Sequence, residues 1–167
     1  MTFLECSSCG QAHDISQMAF DVPCPDYLFE IPEAERPERC ELQRSVCVID
    51  DEKFFVKGAL EIPVSDLPQP LSLNVWVSLS SENFDRSMEL WTTVGRESEP
   101  PYFGWFSNRL PGFPDTLNLK TLVHTQPVGS IPLITLEPSE HPLSVAHHKG
   151  LSESEYKSLV MKLLHGQ

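Results

Sequence analysis

The 167-residue chain is short of positive charge: 12 Lys+Arg stand against 24 Asp+Glu, a net of −12. A protein that grips a phosphate backbone needs a basic face, so nucleic acid is excluded as the expected ligand. Long apolar runs are missing too. None approaches the ~18–20 residues of a membrane-spanning helix. The first ten residues lack the basic start and apolar middle of a secretory signal, so a cytoplasmic protein without membrane contact is expected. Cysteine is sparse and odd in number, at five. In a reducing compartment this argues against a disulfide framework. Repeats and low-complexity tracts are absent. So are G-x-S-x-G, H-E-x-x-H, the phosphate-binding glycine loop and G-x-G-x-x-G, and with them the common hydrolase, zinc-protease and nucleotide-binding signatures.

What the chain does have is acid in one half. Residues 1–100 hold 19 acids and 7 bases, and residues 101–167 hold 5 of each. The acids are densest at Glu30, Glu33, Glu35, Glu38 and Glu41, with Arg36 and Arg39 offsetting them in part. Such a stretch is either a solubilising face or a surface that steers a basic partner.

Period and punctuation predict one α+β domain over 1–167, with a mostly antiparallel sheet covered by one or two helices. A small cysteine-knuckle lobe is expected over 1–24, a short helix over 32–43 interrupted by Pro37, and the sheet over 45–136. Runs 45–50 and 53–64 flank an Asp51-Glu52 turn. Phe54, Val56, Leu60, Ile62 and Val64 alternate onto one face, with Gly58 among them as a bulge or close crossing. Leu71, Leu73, Val75, Val77 and Leu79 repeat the alternation. Ser80 or Ser81 caps a helix ending near Trp91, whose stripe is Phe84, Met88 and Trp91. Strands at 117–126 and 131–136 follow. Ser152 and Glu155 have capping-box spacing, opening a helix over 152–165 with Tyr156, Leu159, Val160, Leu163 and Leu164 on one face.

Two stretches carry candidate chemistry. Cys6-Ser-Ser-Cys9-Gly10 is a zinc-knuckle spacing: two thiolates reach one metal, and glycine permits the tight turn. His13 is a third candidate ligand, and Cys24, Cys40 and Cys47 are candidates for the fourth. Zinc in a structural role is the expected cofactor; a redox or zinc-sensing pair is the alternative use of the two thiols. Cys47, within a strand, reads as a small buried hydrophobe. The second stretch, 100–129, combines aromatics with polar groups. Tyr102, Trp105, Arg109, Asp115, Asn118, Lys120 and His124 are the candidates for binding a ligand or partner there. An Arg109/Lys120 anion site or a His124/Asp115 acid–base pair would require convergence that spacing does not establish. His165, in the last helical turn, reads as a favourable partner of the helix dipole.

Several stretches are similar to a bacterial family described as a domain of unknown function, number 2199. They include C-x-x-C-G-x-x-H at 6–13, P-D-Y at 25–27, I-P-E-A-E-R at 31–36 and C-V-I-D at 47–50. F-F-V-K-G-A-L-E-I-P-V at 54–64, V-W-V-S-L-S at 75–80 and E-N-F at 82–84 follow. P-P-Y-F-G-W at 100–105, L-P-G-F-P-D-T-L-N-L-K-T at 110–121 and V-H-T-Q-P-V-G at 123–129 complete the resemblance, which implies no particular activity. The residues themselves point away from catalysis and toward an acidic binding protein with a basic protein partner, in the manner of an immunity protein or antitoxin. A small-molecule binder or enzyme built on 100–129, and a zinc- or redox-responsive regulator built on Cys6 and Cys9, are the rival readings.

Overall fold

The computed structural model describes residues 3–7, 9–15 and 19–166. Among these described residues ten strands form: β1 (Phe3–Glu5), β2 (Ala12–Asp14), β3 (Ala19–Asp21), β4 (Cys40–Leu42), β5 (Val46–Ile49), β6 (Lys53–Ile62), β7 (Leu71–Leu79), β8 (Tyr102–Phe106), β9 (Lys120–His124) and β10 (Leu133–Leu136). The same residues form four α-helices: α1 (Arg36–Arg39), α2 (Ser81–Glu89), α3 (Pro142–Lys149) and α4 (Glu153–His165).

The α+β expectation holds, but the sheet does not stay open. β6, β7, β8, β9 and β10 pair in sequence order, and β10 returns to β6, closing a five-stranded barrel. Consecutive neighbours are antiparallel. With an odd number of alternating strands, the first and last must run the same way. The closing seam is accordingly parallel, with Leu133 opposite Ala59 and Ile134 opposite Leu60.

The two long strands make this possible by changing neighbours along their length. β6 pairs with β5 from Lys53 to Val56, then with β10 at Ala59 and Leu60. Gly58 stands at the change. A Cβ there would lie 2.5 Å from Ile134 Cδ1 and 2.9 Å from the Pro132 carbonyl oxygen, so only glycine admits the seam. β7 likewise pairs with β3 over Ser72–Asn74 and with β8 at Val77 and Ser78.

The alternation read from the sequence selects the barrel interior. Val56, Leu60 and Ile62 from β6 and Leu71, Leu73, Val75, Val77 and Leu79 from β7 all belong to one buried core. Each large side chain so buried contributes roughly 1.5–3 kcal/mol before entropy is subtracted. The opposite faces of β6 and β7 bury a second cluster. Phe55 and Trp76 meet Cys47, Ile49, Cys24, Leu28 and Ile31 there, beneath the irregular segment that leads from β3 to α1. Trp76 Nε1 donates to the Val22 carbonyl at 2.8 Å, and Lys57 Nζ lies 5.3 Å from the Trp76 ring while pairing with Asp21 at 2.8 Å.

Several local expectations need correction. The helix over 32–43 is a 3-10 turn at Glu33–Glu35 and a single α-turn at α1, because Cys40 goes extended to pair with β5 as β4. The lobe expected over 1–24 ends earlier, since β3 joins the main sheet. α2 is capped by Ser80 but stops at Glu89, leaving Trp91 48% exposed, outside the core to which Phe84 and Met88 belong. β8 and α3 occupy stretches read as loop. β8 carries aromatics on both faces, Tyr102 and Phe106 inward and Phe103 and Trp105 outward, which hides its period. α4 matches expectation: Ser152 and Glu155 form the reciprocal capping box, and Tyr156, Leu159 and Val160 are buried. The Tyr156 hydroxyl donates to the Ile15 carbonyl, tying α4 to the N-terminal segment.

Candidate metal centre

β1 and β2 form a two-stranded antiparallel hairpin, with Leu4 opposite His13 and Glu5 opposite Ala12. Its turn is the C-x-x-C segment. Cys6 N–H donates to the Gln11 carbonyl and Gly10 N–H to the Cys6 carbonyl, at 2.9 and 2.8 Å. Gly10 closes the turn at φ +70°, the left-handed region glycine tolerates best. Cys6 and Cys9 therefore project from one turn, and His13 returns beside them on β2.

The fourth group comes from the far end of the chain. The Sγ atoms of Cys6 and Cys9 and imidazole nitrogens of His13 and His165 all lie within 4.8 Å of one another. Cys6 Sγ is 2.7 Å from His165 Nε2, and Cys9 Sγ is 3.2 Å from His13 Nε2. A tetrahedral zinc with S and N ligands has edges of about 3.3–3.8 Å, a range that the separations of the four donors, from 2.7 Å up to 4.8 Å, bracket. Cys6 is buried, Cys9 exposed, and the two histidines intermediate. The set can hold a metal ion with its inner side closed by protein.

This corrects the search for a fourth ligand. Cys24 and Cys47 are buried in the second core, and Cys40 packs against it. Burial, then the neighbouring Cys40 and Cys24, push the Cys47 thiol up to about 12, as befits an apolar core residue. Burial also raises Cys24 and Cys40. His165 was legible only as a C-terminal-turn histidine, since no spacing links positions 13 and 165.

The candidates of the 100–129 stretch are held by separate partners. Arg109 Nε pairs with Asp115 at 3.3 Å on the surface. Lys120 Nζ is 4.0 Å from Glu137, and His124 Nε2 is 2.8 Å from Thr135 Oγ1. Asn118, at φ +65°, accepts from the Tyr27 hydroxyl. Trp105 stands opposite Lys120 and packs edge-on against Phe103, outside the barrel, whereas Tyr102 turns inward. Arg109 with Asp115 and Trp105 with Lys120 are thus brought together as pairs; the seven do not share one cleft.

Asn108, legible in the sequence only as one more polar group of this stretch, organises it. It is fully buried; its Oδ1 accepts from Trp76 N–H at 2.8 Å, and its Nδ2 donates to the Cys24 carbonyl at 2.9 Å and Asp26 Oδ1 at 3.1 Å. Asp26 Oδ2 in turn accepts from Arg109 N–H at 3.0 Å. The loop after β8 is therefore a structural latch for the segment over Trp76.

No helix among the described residues is long and apolar enough to cross a membrane. No curated protein and no solved structure matches the chain significantly. The family model described as "Uncharacterized protein conserved in bacteria (DUF2199)" matches residues 5–151, a span that takes in Cys6, Cys9 and His13 and stops short of α4. The chain belongs to this bacterial family.

Proposed function

We propose that the protein is a non-enzymatic binding module, braced by a structural zinc ion at Cys6, Cys9, His13 and His165, that presents an acidic edge to a basic protein partner in the manner of an immunity protein or antitoxin. Two thiolates and two imidazoles favour zinc over the hard cations, which prefer oxygen. Four protein donors complete a tetrahedron and leave no position for a substrate, which is the arrangement of structural sites. The ion would pin the β1–β2 hairpin to the end of α4.

The observation that carries the binding reading is the disposition of charge along 30–52. Glu30, Glu33, Glu35, Glu38 and Glu41 are exposed, as are Asp50, Asp51 and Glu52 on the adjoining turn. Three arginines lie in the same stretch: Arg44 is exposed, Arg39 is spent on two of these acids, Asp50 and Glu35, and Arg36 is held by its neighbours. Arg36 Nε donates to the Ile31 carbonyl at 3.0 Å and its guanidinium lies over Phe29. Arg39 makes a two-pronged contact with Asp50, both bonds 2.8 Å. The free carboxylates that remain would speed encounter with a cationic surface and select against anionic ones.

The test is capture of partners from a bacterial host lysate with the native protein and with a variant carrying Glu30→Gln, Glu33→Gln, Glu38→Gln and Glu41→Gln. The reading expects a complex that the variant loses and that weakens steeply with added salt. A complex indifferent to both, or none at all, overturns it.

A further inference from the structure

The two sulfurs of the metal centre are unequally placed. Cys6 is 2% exposed, whereas Cys9, in the same turn, faces solvent. Of the five cysteines Cys9 alone is exposed: Cys24 and Cys47 are buried and Cys40 is half-buried. A zinc ligand is held as the thiolate, which is the form that reacts with oxidants. Oxidation follows thiolate character and access, and Cys9 combines the two when metal is bound.

Behind Cys9 stands the second thiol that such chemistry needs. Cys6 Sγ lies within 4.8 Å of Cys9 Sγ, and Gly10 closes the turn that carries both. Cys24, Cys40 and Cys47 belong to the second core or pack against it. The centre also holds the end of α4 by a separate tie. His165 Nε2 meets Cys6 Sγ at 2.7 Å. The body of the helix is secured elsewhere, by the bond of the Tyr156 hydroxyl to the Ile15 carbonyl and by burial of Leu159 and Val160. Tyr156 stands about 13 Å back from His165 along the helix, at 1.5 Å per residue. The last turn, whose Leu163 and Leu164 pack in part against the core, can therefore let go while the rest of α4 stays in place.

We propose, on the zinc reading of this centre, that it is an oxidation-sensitive clasp: a hydroperoxide oxidises Cys9, Cys6 completes a Cys6–Cys9 disulfide, and loss of both thiolates frees the metal ion and the last turn of α4. The Cys9 thiolate attacks one peroxide oxygen. An S–O bond forms, the O–O bond breaks, and the other oxygen leaves as hydroxide or alkoxide and takes a proton from water. The Cys6 thiolate then attacks the Cys9 sulfur of this sulfenic acid; an S–S bond forms, the S–O bond breaks and hydroxide leaves. Two electrons pass from the two sulfurs to the peroxide, and the ion keeps its charge. His13 and His165 remain as two neutral donors, half of the four that a structural zinc site requires. Reduction by a dithiol restores both thiols and with them the site.

The test uses the full chain, reduced and supplied with zinc, with metal content read first by native mass spectrometry. Hydrogen peroxide in small molar excess is then added beside a chromophoric zinc indicator. Release should exceed that of a peroxide-free control and reach one ion per disulfide formed. Alkylation in denaturant and peptide mass spectrometry should find Cys6 joined to Cys9, with Cys24, Cys40 and Cys47 still thiols. Hydrogen exchange should rise across 162–166 while 156–160 stay protected, and dithiothreitol with added zinc should reverse every change. Reduced protein that takes up no zinc overturns the zinc reading and this one with it. Zinc-loaded protein that keeps its ion under peroxide, loses it without forming a disulfide, or joins Cys6 or Cys9 to another cysteine leaves the zinc reading standing and overturns the clasp. Unchanged exchange across 162–166 in the oxidised protein overturns release of the helix end.

Discussion

Cys6 Sγ lies 2.7 Å from His165 Nε2, joining positions 159 apart in the chain. The contact brings the first hairpin onto the last turn of the last helix. A metal bound there would close nearly the whole chain into one loop.

Metal removal should therefore loosen both termini together. The native protein should carry one zinc ion by native mass spectrometry, and a strong chelator should lower its melting temperature. Binding to the folded state alone adds about 2.7 kcal/mol at a hundredfold excess of free metal over Kd. His165→Ala should lose the ion and with it the response to chelator, whereas Cys24→Ser should keep both. A His165→Ala protein that still binds zinc at native affinity would remove His165 from the centre.

Gly58→Ala tests the barrel seam. The added methyl would meet Ile134 and the Pro132 carbonyl inside contact distance. Overpacking of this kind costs about 1–3 kcal/mol, and here the obstruction includes backbone that cannot rotate away. Chemical denaturation should show the loss, and an unchanged midpoint would mean that the seam yields more easily than its geometry implies.

Asn108→Ala should be far more damaging than Arg109→Ala next to it. The first strands the buried Trp76 N–H and the Cys24 carbonyl, at about 1–3 kcal/mol for each unsatisfied group. The second removes an exposed ion pair with Asp115 and should shift stability by less than about 0.5 kcal/mol. Equal midpoints for the two variants would contradict the latch.

His147 supplies a pH dependence. Burial holds its imidazole below the usual value, outweighing the bond of Nδ1 to the Glu61 carbonyl, and His148 adds to the lowering. The folded state thus resists protonation more than the unfolded chain does. The stability contributed by neutral His147 is complete above the unfolded value of about 6.5 and is lost as pH falls through the lower folded one. His147→Gln should make the melting temperature fall less steeply from pH 7 to 5. Chelator in every sample keeps metal loss out of the comparison, and parallel curves for the two proteins would refute the assignment.

Thiol reactivity should separate the cysteines. In metal-free, reduced protein, Cys9 is exposed, whereas Cys47 is fully buried with its thiol pushed up to about 12. Brief iodoacetamide treatment followed by peptide mass spectrometry should find Cys9 alkylated and Cys47 intact until denaturant is added.

Local pattern carried much of this architecture. Alternation along 53–64 and 71–79 identified the two long strands and their core faces, because a strand's side chains obey a period of two wherever one face is buried. The Ser152–Glu155 spacing located α4 to within a residue, since a capping box is satisfied by neighbours four positions apart at most. The knuckle, too, lay within eight residues. Reading failed where the pattern was saturated or broken: aromatics on both faces concealed β8, and Pro142 followed by His147-His148 disguised α3.

Composition and short-range spacing showed an acidic chain, pointed to an α+β fold, and singled out Cys6, Cys9 and His13 as a local cluster. Closure of the sheet into a barrel and the arrival of His165 beside Cys6 belong to the folded chain alone. Each depends on contacts between residues far apart in sequence, whose distances are set by how the strands twist and where the helices come to rest. No local period encodes those distances.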